Sequence, residues 1–427
     1  MSELKRHMGL FHLTMYGVGL ILGAGIYVLI GEAAGIAGDS VWISFMLGTI
    51  VAIFAGLSYA ELTSVFPKAA AEYTFVKRAF KNNFLGFLIG WLTAITSVIT
   101  ASVVALGFGG YLLKFIDIPI ILSAAGLIVA LSVVNFIGIR ESAWTNTVFT
   151  IVEAAGLILI IVIGFTFVSP EPVDYFDSPT GLSGVVIAFV LVFFAFIGFE
   201  DMANVAEEVR QPKKNLPRAV ILSVVISGAI YILVALAAVR VVNWHELGLS
   251  AAPMADIASK ALGEKGNILL SSIALFATTN TVLITLVAGA RIFYGMARDG
   301  SLPSKLGLVH SKTKTPWIAV LGIMIASAIF TLVGDIVIVA NITVFAIVIT
   351  FAMINLAVIV LRYTEPDIER PFKIPFNIKR FPILPLFGLA ITVYMMFQFE
   401  FEIVVVGLGI IGAGCVVYLI YGKKKRK

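Results

Sequence analysis

The residues able to do chemistry in this chain are a few carboxylates set in apolar sequence: Glu32, Glu153 and the adjacent pair Glu200-Asp201. Charge is costly in lipid, so a carboxylate at such depth faces a partner or a water-filled path. Glu153 lies several residues into an apolar run and has two readings. It is either a carboxylate paired with a lysine or arginine near the boundary, or a desolvated carboxyl that binds and releases a proton. Glu200 and Asp201 cannot both stay ionised and unpaired in a dry site, so one is expected to contact the backbone beside it and the pair to belong to a gate. Glu32 is a gate residue or a satisfied packing carboxylate. Glu61, in Tyr59-Ala-Glu-Leu62 before Pro67, is expected to anchor a lysine or arginine.

Hydrolytic and metal chemistry find no footing. His7, His12, His245 and His310 lie in tails, loops or at a membrane edge, and no His-Glu-x-x-His or Gly-x-Ser-x-Gly occurs. Cys415 is the sole cysteine, which excludes an internal disulfide and a cysteine-based metal site. We expect no catalytic residue, no metal and no cofactor, and hence no enzyme.

The elements that position these groups are membrane helices. The chain has 427 residues, 60% of them hydrophobic and 13% charged, against a charged fraction of about 25% in soluble domains. Apolar runs of about 20 residues predict an all-α integral membrane protein with twelve spans, at 11–37, 41–65, 84–112, 118–138, 147–168, 183–207, 216–241, 266–292, 316–333, 336–361, 382–399 and 402–421. Residues 1–10 read as a short polar tail without a cleavable signal, so the N-terminus is expected to be retained.

Two spans are interrupted. Residues 17–38 carry seven glycines, with Gly23-Ala24-Gly25 at the centre, and a second run reads Phe194-Ala-Phe-Ile-Gly-Phe-Glu-Asp201. Irregular backbone at membrane depth survives only where it is buried in protein or lines a cavity, although Gly-x-x-x-Gly spacing also serves close helix packing. Paired interruptions in corresponding halves point to a transporter's binding site. A broken helix offers amides at one end, which attract a carboxylate, and carbonyls at the other, which attract an ammonium. Two facing breaks form a receptor for a zwitterion, an α-amino acid. Ala24, Gly25 and Ile26 offer amides; Ile21, Phe194, Ala195 and Ile197 offer carbonyls. Phe196 or Phe199 is placed to close over the ligand, and Ser97, Thr100, Ser102, Thr278, Thr279, Asn280 and Met353 are candidates for the pocket wall.

Lysine and arginine set the topology. With the N-terminus inside, alternate loops hold nearly all the basic residues and the opposite face only Lys114, Arg240, Lys260 and Lys265. Both termini are therefore expected in the cytoplasm of a plasma membrane. The breaks divide the chain into a tail 1–10, five-helix units 11–168 and 183–361, two further helices 382–421 and a basic tail 422–427 suited to anionic lipid. Five being odd, the second unit enters from the other side, which makes the repeat inverted. The proline-rich loop 362–381 is the linker, and 242–265 is a candidate lid or interfacial helix. The partners implied are the bilayer and a small solute, with no nucleic acid. A channel or receptor of the same span count is the rival; a carrier differs by a turnover limit and trans-stimulation.

The motifs Gly23-Ala-Gly-Ile-Tyr-Val28, Tyr59-Ala-Glu-Leu62, Phe194-Ala-Phe-Ile-Gly-Phe-Glu200, Glu207-Glu-Val-Arg-Gln-Pro-Lys-Lys-Asn-Leu-Pro217 and Ala297-Arg-Asp-Gly-Ser-Leu-Pro303 resemble the amino acid–polyamine–organocation superfamily. The likeness is strongest to the branch of cationic amino acid transporters and their prokaryotic relatives. The resemblance implies a leucine-transporter-like five-plus-five inverted repeat with two extra helices, and amino acid transport by alternating access. It maps the substrate carboxylate to the amides around Ala24 and Gly25 and the amino group to the carbonyls of Ile21, Phe194, Ala195 and Ile197. Some relatives have a hydroxyl residue where Ala24 stands. Some proton-coupled relatives have a lysine where Glu153 stands, so the acid here carries a proton or helps to bind a cation. Sodium coupling would add Thr278 and Thr279 to carbonyls of the first helix; uncoupled exchange is the third option. The branch favours cationic substrates and the uncharged pocket small neutral ones, so the substrate class stays broad.

Overall fold

The structure, a computed structural model, describes residues 8–67, 71–137, 143–166 and 172–422. Helices account for most of it: α1 (Leu10–Leu22), α2 (Ala24–Ala37), α3 (Val41–Val65), α4 (Ala71–Phe80), α5 (Asn83–Leu112), α6 (Ile120–Ile137), α7 (Ala143–Thr166), α8 (Leu182–Val192), α9 (Pro212–Val241), α10 (Trp244–Gly248), α11 (Pro253–Leu262), α12 (Glu264–Arg298), α13 (Trp317–Thr331), α14 (Ile336–Thr364), α15 (Ile383–Met396) and α16 (Phe401–Tyr421). The linker 362–381 leads into a small antiparallel hairpin, Asn377–Ile378 with Phe381–Pro382.

Among the described residues nine stretches are long and apolar enough to cross a bilayer, and α13 and α15 are shorter apolar helices. One stretch, Leu10–Val65, has 56 residues. As a straight helix it would reach about 84 Å, more than twice the hydrocarbon core; it turns back at Gly38–Ser40. Each apolar run read from the sequence holds a helix, and the basic tails and Arg140 lie outside the described residues.

Leu13, Phe45, Leu57, Ile99, Tyr111, Tyr231 and Phe351 belong to one continuous core. The rim carries its large apolar side chains outward, as with Leu122 and Ile137 on α6, Ile158 and Val162 on α7 and Leu419 on α16. With lipid as the solvent on that side, such exposure is expected. The segment 242–265 folds as α10 and α11, which pack over the far half of α2. There the Tyr111 hydroxyl donates to the Tyr27 carbonyl at 2.6 Å, and Lys114 pairs with Asp256 at 2.6 Å.

At the other end Glu61 behaves as its position predicts. Its carboxylate receives Arg362 Nε at 2.7 Å and Nη2 at 2.6 Å, a forked pair between α3 and α14. Arg370 Nε stands 3.4 Å away, and the Ile374 amide donates at 2.9 Å. A buried ion pair holds only when its remaining lone pairs are also met, and here the linker supplies that contact.

Candidate functional site

Helix α1 stops at Leu22 because Gly23 leaves helical geometry (φ −45°, ψ −157°), and α2 begins at Ala24. The first amides of α2 therefore lack intrahelical acceptors. One is met from across the bundle: the Ala24 amide donates to Thr281 Oγ1 on α12 at 3.1 Å.

The second interruption starts earlier than the glycine in its sequence suggests. Helix α8 ends at Val192, Phe193–Phe196 tighten into a 3-10 turn, and Ile197 is extended. Gly198 then sits at φ +129°, and 3-10 geometry resumes over Phe199–Glu208. A side chain at 198 would be strained by that φ and would also strike the Leu20 carbonyl oxygen, 2.8 Å from a Cβ position.

The two breaks press against each other. A Cβ on Gly25 would lie 2.6 Å from Ala195 Cα, so only glycine permits this approach. Tyr231 on α9 joins them: its hydroxyl lies on the Ile21 carbonyl and on the Ala195 carbonyl, the latter at 2.9 Å. Two of the carbonyls expected to meet an ammonium are thus held by one phenol. The Phe194 carbonyl accepts from the Ile197 amide at 3.2 Å, closing the turn.

Beside the breaks, toward the start of α1, opens a cleft with about 570 Å³ of empty space, its mouth included. Gly19 and Leu20 of α1, Ile197, Gly198, Glu200 and Asp201, Thr93, Thr96, Ser97 and Thr100 of α5, Thr281, Ile284 and Thr285 of α12 and Ile347 line it. Of these, Thr93, Thr96, Thr281 and Thr285 escape a reading of the sequence span by span. The signal was present: Thr93, Thr96, Ser97 and Thr100 recur at i, i+3, i+4 and i+7, one polar face in an apolar helix.

Glu200 and Asp201 differ in burial and contacts. Glu200 is buried, and its Oε2 accepts from the Gly198 amide at 2.9 Å; Asp201 is half-buried at the cleft wall. Glu153 is fully buried behind the first break, outside the cleft lining. Asn280 Nδ2 donates to its Oε1 at 3.0 Å, and the Tyr27 hydroxyl donates to its main-chain carbonyl at 2.7 Å. Among the described residues no ion pair involves Glu153.

Other candidates lie elsewhere. Thr278 and Thr279 bond back to the carbonyls of Ala274 and Leu275 at 2.7 and 2.6 Å; Thr281 is the α12 hydroxyl at the break. Ser102 packs α5 on α13 through the Ser327 carbonyl at 2.8 Å. Phe196 is buried on Tyr231, ring centroids 5.1 Å apart, with a ring edge against Gly48. Phe199 belongs to a buried cluster with Tyr59 and Phe351, at 5.6 and 5.3 Å. Neither ring lines the cleft. Glu32 is half-buried in the far half of α2, away from the breaks.

A comparison of the whole chain adds its family: the amino acid permease family model covers residues 8–420. The chain belongs to the amino acid permease family. This permease is 30% identical to the branched-chain amino acid permease of Bacillus subtilis, over 100% of this chain and 95% of that protein. It is 31% identical to the large neutral amino acids transporter small subunit 2 of Oryctolagus cuniculus, over 99% of this chain and 82% of that one. Cationic amino acid transporter 4 of Homo sapiens is 28% identical, over 85% of this chain and 61% of its own length. The permease is a multi-pass membrane transporter, not an enzyme.

Proposed function

We propose that this chain carries α-amino acids across the plasma membrane by alternating access, in symport with protons. The observation that carries the reading is the contact of the two breaks, Gly25 against Ala195, at the head of a polar cleft. The substrate carboxylate meets the Gly25 and Ile26 amides, the Ala24 amide being held by Thr281. Its amino group meets the carbonyls that Tyr231 now engages, and its side chain extends among the hydroxyls of α5 and α12. Names of the relatives span branched-chain, large neutral and cationic substrates, and the cleft supports a broad class.

In this reading the chain crosses the membrane twelve times with both ends in the cytoplasm, where most lysines and arginines fall. The first ten crossings form two inverted units of five. Support comes from which elements pack together: α1 and α2 on α8 and the turn after it, α3 along α9, α5 along α12, α6 on α13. These are the first to fourth crossings of one unit against the same members of the other. Glu153 carries the coupling proton.

Uptake of labelled amino acids into proteoliposomes, under an inward proton gradient and separately under a sodium gradient, tests the reading. Accumulation driven by protons alone is expected. Accumulation only with sodium overturns the proton assignment and moves coupling to α1 and α12. Exchange with neither gradient marks an uncoupled exchanger, and no uptake of any amino acid overturns the substrate class.

A further inference from the structure

Asn280 Nδ2 donates to Glu153 Oε1 at 3.0 Å, and the other polar atoms of this pair, Glu153 Oε2 and Asn280 Oδ1, are buried without a hydrogen-bond partner among the described residues. With the carboxyl ionised, both orphans are acceptors. Exchanging the amide oxygen and nitrogen leaves the same deficit, since an asparagine cannot donate to one oxygen of a carboxylate and receive from the other. A proton on Oε2 removes it: Nδ2–H donates to Oε1 and Oε2–H donates to Oδ1.

We propose that Glu153 and Asn280 form a carboxylic acid–amide pair around one transported proton, with Asn280 as the positioning residue that passes the loss of that proton to the broken helix. The inference rests on the proton-symport reading. Both partners reach α2 in one step. Asn280 precedes Thr281, whose hydroxyl accepts from the Ala24 amide at 3.1 Å. Glu153 accepts at its own carbonyl from Tyr27 at 2.7 Å. When the proton leaves for water, two acceptors face each other across α7 and α12, and the repulsion loads the two hydrogen bonds that hold the start of α2. Substrate binding at the Gly25 and Ile26 amides loads the same turn, which links the two ligands.

Among the described residues no charged group forms an ion pair with Glu153, and Arg240, on α9, stands nine residues or about 13 Å along that helix from Tyr231. The phenols of Tyr27 on α2 and Tyr231 on α9 lie within electrostatic reach of Glu153. From α1, His12 meets Thr147, six residues or about 9 Å along α7 from Glu153. On α11, Asp256 is engaged by Lys114 and Lys260 by Glu246. Helix α12 contributes Asn280 itself.

The test uses the full-length protein in proteoliposomes with whichever labelled amino acid the parent takes up best. Counterflow at equal pH on both sides is compared with accumulation under a proton gradient, for the parent, Asn280→Leu and Glu153→Gln. In both variants proton-driven accumulation should fall at least tenfold relative to the variant's own counterflow, and the pH profile of the initial rate should flatten. Asn280→Leu with the parent's pH profile and accumulation ratio overturns the proposal. If Asn280→Leu does not fold, infrared spectroscopy decides: the parent should show a hydrogen-bonded carboxylic acid carbonyl band that Glu153→Gln lacks, and absence of that band from the parent overturns the pair. A parent without counterflow of any amino acid refutes the transport reading instead, and the infrared band then still reports on the pair.

Discussion

Glu72 is a buried carboxyl on α4, a short charged helix outside the membrane-length stretches, and one of its oxygens has no hydrogen-bond partner among the described residues. Burial, with Asp201 nearby, pushes the carboxyl from an ordinary 4.5 up to about 7, against the pull of its own backbone amide. The fold thus binds this proton more tightly than the unfolded chain does. Stability should fall as pH rises from about 4.5 to about 7 and level off above. Glu72→Gln should remove that slope and be more stable at pH 8 by on the order of 3 kcal/mol, read as thermal unfolding across pH in lipid nanodiscs; an unchanged slope refutes the assignment. Residues of this kind are only partly legible in a sequence. Glu61, Glu153 and Glu200 stand out because a charge in an apolar run demands a reason. Tyr231 does not, since a tyrosine in such a run looks like packing, and its bond to Ile21 spans 210 positions.

The interruptions could be read at the level of elements because glycine is a poor guard of helix backbone, and Gly23 does end α1. Which end of each break is occupied could not be read: Thr281 holds the Ala24 amide and Tyr231 the carbonyls, both from helices remote in sequence. The same distance hid the choice among the α12 hydroxyls: Thr278, Thr279 and Thr281 all donate back to their own helix, and what sets Thr281 apart is that it also accepts the Ala24 amide. A buried ion pair locks α3 to α14. Arg362 is 3% exposed and its forked partner is Glu61. Glu61→Ala would strand a buried guanidinium and should cost about 3–5 kcal/mol, measured by denaturant or thermal unfolding in detergent. A loss below about 1 kcal/mol would mean that Arg370 and the linker do not depend on this carboxylate.

For the whole molecule, hydropathy was enough to lay out the helices, because it reflects transfer of single residues into lipid. Which helices pack together was not legible, since contacts such as α3 along α9 and α5 along α12 join segments remote in sequence. Orientation is checked in a Cys415→Ser background: Thr180→Cys should react with an impermeant thiol reagent in intact cells, and Lys312→Cys only after permeabilisation. The reverse pattern would invert the topology. If substrate binds where the two breaks meet, counterflow of a labelled amino acid by Gly25→Leu, beside the parent, reports it. The leucine Cβ would lie 2.6 Å from Ala195 Cα. We predict saturable, trans-stimulated counterflow in the parent and background flux in a variant shown to be folded by its melting curve; saturable counterflow in Gly25→Leu at the parent's rate would contradict the account.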